Sequence, residues 1–135
     1  MKRNMLFSLL VLALFAISLT AFAAKPVKVE ILYLNHGPLE PTIEQMKQVF
    51  AKYGNKISVS WYDEETTGGE QFKARKGITQ HMPLVIWLDG KSNLPVNGKD
   101  INFAGFPTGA GPIFFQGKWT MDDLRAALDQ ITNKK

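Results

Sequence analysis

Two histidines and no cysteines define what chemistry this 135-residue chain can carry. His36 opens the run His36-Gly37-Pro38-Leu39, and His81 and Met82 stand directly before Pro83. Imidazole and thioether together suit copper, so His36, His81 and Met82 form a candidate metal set. An imidazole also changes charge near neutral pH, and with an orienting carboxylate it serves as a general base. The one carboxylate close to His36 in sequence is Glu40. The absence of cysteine removes disulfides, thiolate metal sites and thiol catalysis together. No Ser-His-Asp set or HExxH motif is present, and the glycines at 105, 109, 111 and 117 lack the strand–GxxxxGK[ST]–helix order of a phosphate loop. Asp63-Glu64-Glu65 lacks the ligand spacing of a calcium loop and reads as a solvated acidic loop.

The elements that must position these residues follow from hydrophobic periodicity. Val27 to Leu34 becomes wholly apolar toward its end, the pattern of a strand buried on both faces. Pro41 suits the first turn of a helix. Ile43, Met46, Phe50 and Tyr53 then recur at helical spacing, with Gly54 as a stop signal. Ile57, Val59 and Trp61 alternate with Ser58, Ser60 and Tyr62, which predicts a second strand. The intervening crossover is long enough for a parallel pair. A short helix is expected over 70–76, and Leu84 to Leu88 is an apolar third strand opened by Pro83. Asp89-Gly90 and Asn97-Gly98 are turn signals, so a hairpin follows. Ile101 to Phe106 and Ile113 to Phe115 read as short strands around a Gly/Pro-rich loop, Pro107 to Pro112. Thr120 and Asp123 form a capping box for a last helix striped by Met121, Leu124, Leu128 and Ile131. Most of Phe103, Phe106, Phe114, Phe115 and Trp119 are expected in the core, with a few left as an apolar patch for a partner.

The order predicts an α/β domain. It resembles the thioredoxin fold, a βαβ–ββα sandwich with a central mixed sheet flanked by helices. Asn35-His36-Gly37-Pro38-Leu39 is similar to the thioredoxin active-site loop, with Gly37-Pro38 matched. The resemblance sets His36 at the nucleophilic cysteine and Leu39 at the resolving one. Gly77-Ile78 and Pro83 are similar to the run that ends in that family's cis-proline, with one residue more between Ile78 and Pro83. The resemblance implies a cis bond at Pro83, and a Met82-Pro83 loop facing the His36 loop. Thiol–disulfide exchange needs an attacking thiolate and a resolving thiol, and histidine and leucine supply neither. What the resemblance leaves is a binding surface of His36, Gly37, Pro38, Leu39, His81, Met82 and Pro83 that would take a protein or peptide partner.

The chain begins with Lys2 and Arg3, an apolar run from Leu6 to Leu19 and an Ala-Phe-Ala ending at Ala23. That is the pattern of a secretory signal peptide, which predicts a segment 1–23 removed on export and a single domain over 24–135. The run from Leu6 to Ala24 also approaches the ~20 residues of a membrane anchor. Cleavage implies a periplasmic or secreted protein with no membrane attachment. The formal net charge of +4 falls to about +2 without Lys2 and Arg3, and the basic residues are scattered, so no nucleic-acid partner is expected.

Overall fold

The computed structural model describes residues 23–134, so the expected signal segment lies almost wholly outside the described residues. Strand β1 (Val27–Tyr33) is central to a three-stranded mixed sheet. It pairs in parallel with β2 (Ile57–Asp63), Val27 opposite Ile57, and antiparallel with β3 (Leu84–Leu88), Ile31 opposite Ile86. A central strand must be apolar on both faces, and β1 buries Val27, Val29 and Ile31 on one side and Leu32 on the other. Helix α1 (Glu40–Ala51) supplies the crossover to β2. With α3 (Met121–Thr132) it covers one face, where Met46, Val49, Leu124 and Leu128 meet Val29, Ile31 and Ile86. Each such fully buried aliphatic side chain contributes about 2 kcal/mol. Helix α2 (Thr67–Arg75) covers the other face through Phe72, which packs with Leu32, Val85 and Trp87. Phe72 stacks on Tyr62 at 3.8 Å and meets Trp87 edge-on at 5.4 Å.

The turn signals act as expected. Asn97 and Gly98, both with positive φ, join β4 (Asn93–Val96) to β5 (Lys99–Asn102) in a separate two-stranded hairpin. Its Leu94, Val96 and Ile101 extend the core shared with α3. Beyond β5 the chain runs along β3: Ile86 N–H donates to the Phe103 carbonyl and Gly105 N–H to that of Leu84, at 2.9 and 2.8 Å. The capping box at Thr120 and Asp123 closes the start of α3.

Three expectations are corrected. The second helix begins at Thr67 rather than Glu70, because Thr66 caps it through a bond from Gly69 N–H. Ile113–Phe115 is a 3-10 turn and not a strand, since Pro112 and the glycines around it favour tight turns over a ladder. Among the described residues no peptide bond is cis, so the Met82–Pro83 bond is trans. Trans is the intrinsic preference of X–Pro bonds. Pro83 reaches the end of β1, its carbonyl accepting from Leu34 N–H at 3.0 Å.

Candidate functional site

The C-terminal end of β1 delivers the His36 loop, and the segment before β3 delivers His81 and Pro83 beside it. Leu34 directly follows β1 and is buried. His36 N–H then donates to the Leu34 carbonyl at 2.9 Å, and the Leu39 N–H to the His36 carbonyl at 2.9 Å. These bonds fold Gly37–Leu39 into a 3-10 turn leading into α1, with Pro38 in the first turn and Leu39 buried as its anchor. The His36 ring caps nothing. It is more than half exposed, and its Nε2 lies 3.5 Å from Glu65 Oε1.

The two loops enclose a cavity of about 340 Å³. His36, Gly37, Pro38 and Leu39 form one wall, and His81 and Pro83 another. Phe106, Pro112 and Phe115 close the third side. The lining is almost wholly apolar, with the two imidazoles as its only titratable groups. Six of the seven expected site residues therefore meet here. Met82 does not: it lines a separate cleft with Ile78, Val85 and Trp87 and packs against the Leu32–Phe72 cluster. Alternation along the chain turns His81 and Met82 to opposite sides, so the expected copper set of His36, His81 and Met82 is not gathered at one point. Among the described residues no group of three His, Asp or Glu is placed to hold a metal ion.

The backbone beside the cavity is open. Among the described residues no hydrogen bond reaches the N–H or C=O of Thr79, Gln80, His81 or Met82. Thr79 to His81 are solvent-exposed, so these groups face water.

The acidic loop after β2 is part of the site, which its sequence does not announce. Glu64 N–H donates to the Tyr33 carbonyl at 2.9 Å, which ties the loop to the end of β1. Gly69 permits this approach: a Cβ there would come within 1.7 Å of the Asp63 carbonyl oxygen. Glu65 faces His36, and Glu64 lies 3.8 Å from His81 Nδ1. The expected solvated loop is thus corrected at Glu64, whose side chain is only 9% exposed. Glu64 Oε1 is bonded by Lys73 of α2, while Oε2 has no partner among the described residues. The missing signal is tertiary: nothing local separates the buried Glu64 from its exposed neighbours.

A second and larger cleft, about 530 Å³, lies at the other end of α2 and is lined by Lys25, Lys28, Glu30, Arg75 and Lys76. Glu30 is its buried floor, bonded by Lys28 at 2.8 Å and Lys76 at 2.7 Å. Burial raises the Glu30 pKa, but the bonds from Lys28 and Lys76 outweigh it and hold the carboxyl below its usual range.

Comparison with known proteins adds no assignment: no family model, curated protein or solved structure matches the chain.

Proposed function

We propose that the chain is an exported, redox-inactive domain of thioredoxin-like architecture that binds an extended apolar segment of another exported protein. The observation that carries this reading is the apolar cavity beside an unpaired backbone edge at Thr79–Met82. An extended peptide satisfies both at once. Its main chain pairs with the free N–H and C=O groups, and an alternate side chain drops into the cavity. The absence of cysteine removes thiol exchange as the cleft's activity. The signal-like start of the sequence supports export. His36 and His81 serve as polar contacts at the mouth, and Leu39 and Pro83 as its floor.

The test is fluorescence anisotropy with labelled extended apolar peptides, comparing the native protein with Gly37→Trp. Gly37 lines the cavity and a Cβ there meets nothing within 4 Å, so a bulky side chain is accommodated at the cavity wall without a clash. Affinity should fall at least about tenfold, or 1.4 kcal/mol. Equal binding by Gly37→Trp would place the site elsewhere.

A further inference from the structure

The cavity shares its face with an apolar tip that the fold leaves uncovered. Ile113 is 82% exposed, Phe114 97% and Phe115 46%. Leaving a phenylalanine almost wholly in water forfeits the ~150–250 Å² it buries elsewhere. The tip is not a loose end. Phe106 N–H donates to the Phe115 carbonyl at 2.8 Å, and Gly117 N–H to that of Phe106 at 2.7 Å. The Gln116 side chain spans the loop, accepting from Gly109 N–H at 3.2 Å and donating to the Gly111 carbonyl at 3.1 Å. Gly111 carries no side chain because the Phe106 ring fills that space, 2.3 Å from where a Cβ would stand. The loop therefore presents Phe114 in a fixed position, already ordered for a partner.

We propose that the partner is a second copy of this chain, each copy seating Phe114 in the other's cavity between Pro38 and Pro83 in a two-fold contact. Two observations favour this occupant. The tip and the cavity adjoin, since Pro112 and Phe115 belong to both, so one rotation satisfies both copies. The chain from Phe103 to Met121 has no carboxylate and one cation, Lys118, whereas the loop beyond the histidines exposes the Glu65 carboxylate. Facing copies set these opposite walls together. Two tips of three apolar residues each are a small contact beside the ~1,600 Å² of a standard specific interface. The dimer is therefore weak and reversible, and it occupies the groove until another apolar segment displaces it.

Sedimentation velocity of protein purified from cells expressing the full chain tests this from about 1 to several hundred micromolar, where a weak dimer dissociates on dilution. A monomer–dimer equilibrium is expected for the native protein. Phe114→Glu and Gly37→Trp should each be monomeric, with unchanged thermal midpoints. Mixing the two variants restores one of the two contacts, so any association should appear only in the mixture and be weaker than that of the native protein. A native protein that stays monomeric throughout, or a dimer that survives either variant, overturns the proposal. Co-sedimentation of a monomeric native protein with phospholipid vesicles, lost in Phe114→Glu, would assign the tip to a bilayer and also overturn it. Phe114→Glu keeps its cavity. Its failure to bind apolar peptides would sink the proposed function while leaving the dimer standing.

Discussion

Glu30 and Glu64 are two buried carboxylates on the same side of the molecule, each tied to a lysine at the C-terminal half of α2 or just beyond it, and they are finished differently. Glu30 has a lysine on each oxygen, Lys28 on Oε1 and Lys76 on Oε2. Glu64 has Lys73 and the more distant His81 on the same oxygen, and its other oxygen has no partner among the described residues. A buried polar atom without a partner costs about 1–3 kcal/mol. The fold avoids that cost at the Glu30 end and accepts it at the end where His36, His81 and the open backbone edge gather. Among the described residues, a buried side-chain polar atom without a partner is thus found only at the candidate site.

The strongest way to break this contrast is Gly69→Ala. Its methyl group would collide with the Asp63 carbonyl that anchors the Glu64 loop, and relieving such a clash costs about 3 kcal/mol. The thermal midpoint should fall steeply, while an NMR titration of Glu30 stays as in the native protein. A midpoint within a degree or so of native would show that the loop is not held as described.

Replacing each carboxylate by its amide measures the contrast directly. Glu30→Gln removes the charge from two lysine bonds and should cost about 2 kcal/mol at neutral pH. Glu64→Gln should cost about 1 kcal/mol or less, because the native carboxylate was only half bonded. Urea unfolding of both variants decides it, and equal losses would erase the distinction.

Acid sharpens the same comparison. Glu30 has a folded-state pKa below its ordinary 4.5. Its contribution is therefore complete above pH 4.5 and is lost as pH falls through the lower folded value. Glu30→Gln should flatten that part of the stability–pH curve. Tyr53 contributes to the opposite limb, its phenol pushed up to about 12 by burial and by its bond to Asp129. Here the neutral form is favoured, so the contribution is full below pH 10 and is lost as pH rises toward 12. Tyr53→Phe should cost about 1 kcal/mol at neutral pH and reduce the alkaline loss. An unaltered alkaline limb would point to another group.

Much of this architecture is legible in the sequence because the signals are local. Ile31-Leu32-Tyr33-Leu34 reads as a doubly buried strand, Asn97-Gly98 as a tight hairpin turn, and Thr120 with Asp123 as a helix cap. Each depends on residues within a few positions of one another. The site is legible only in part. His36, Leu39 and Pro83 sit at element ends that the pattern locates, so their meeting follows from strand order. Met82 was misplaced because the alternation that sends it away from His81 depends on how the loop enters β3. Glu64 carries no local mark of its burial, since its partners Lys73 and His81 stand nine and seventeen residues away. The aromatic span from Phe103 to Trp119 reads as mostly core with a few residues left as a patch, without showing which. Phe103, Phe106 and Trp119 nearby are buried and Phe114 is not. Composition alone cannot sort aromatic residues within a loop whose path is fixed by Gln116, Gly105 and Gly117.

The Gln116 clamp has a consequence for how this surface can change. The loop is closed by one amide side chain reaching backbone groups at 109 and 111, and by main-chain bonds at Phe106. None of these involves the side chains of Ile113 or Phe114. The two most exposed apolar positions are therefore uncoupled from the framework that displays them. Selection can rewrite them, and with them the choice of partner, while the scaffold stays as it is.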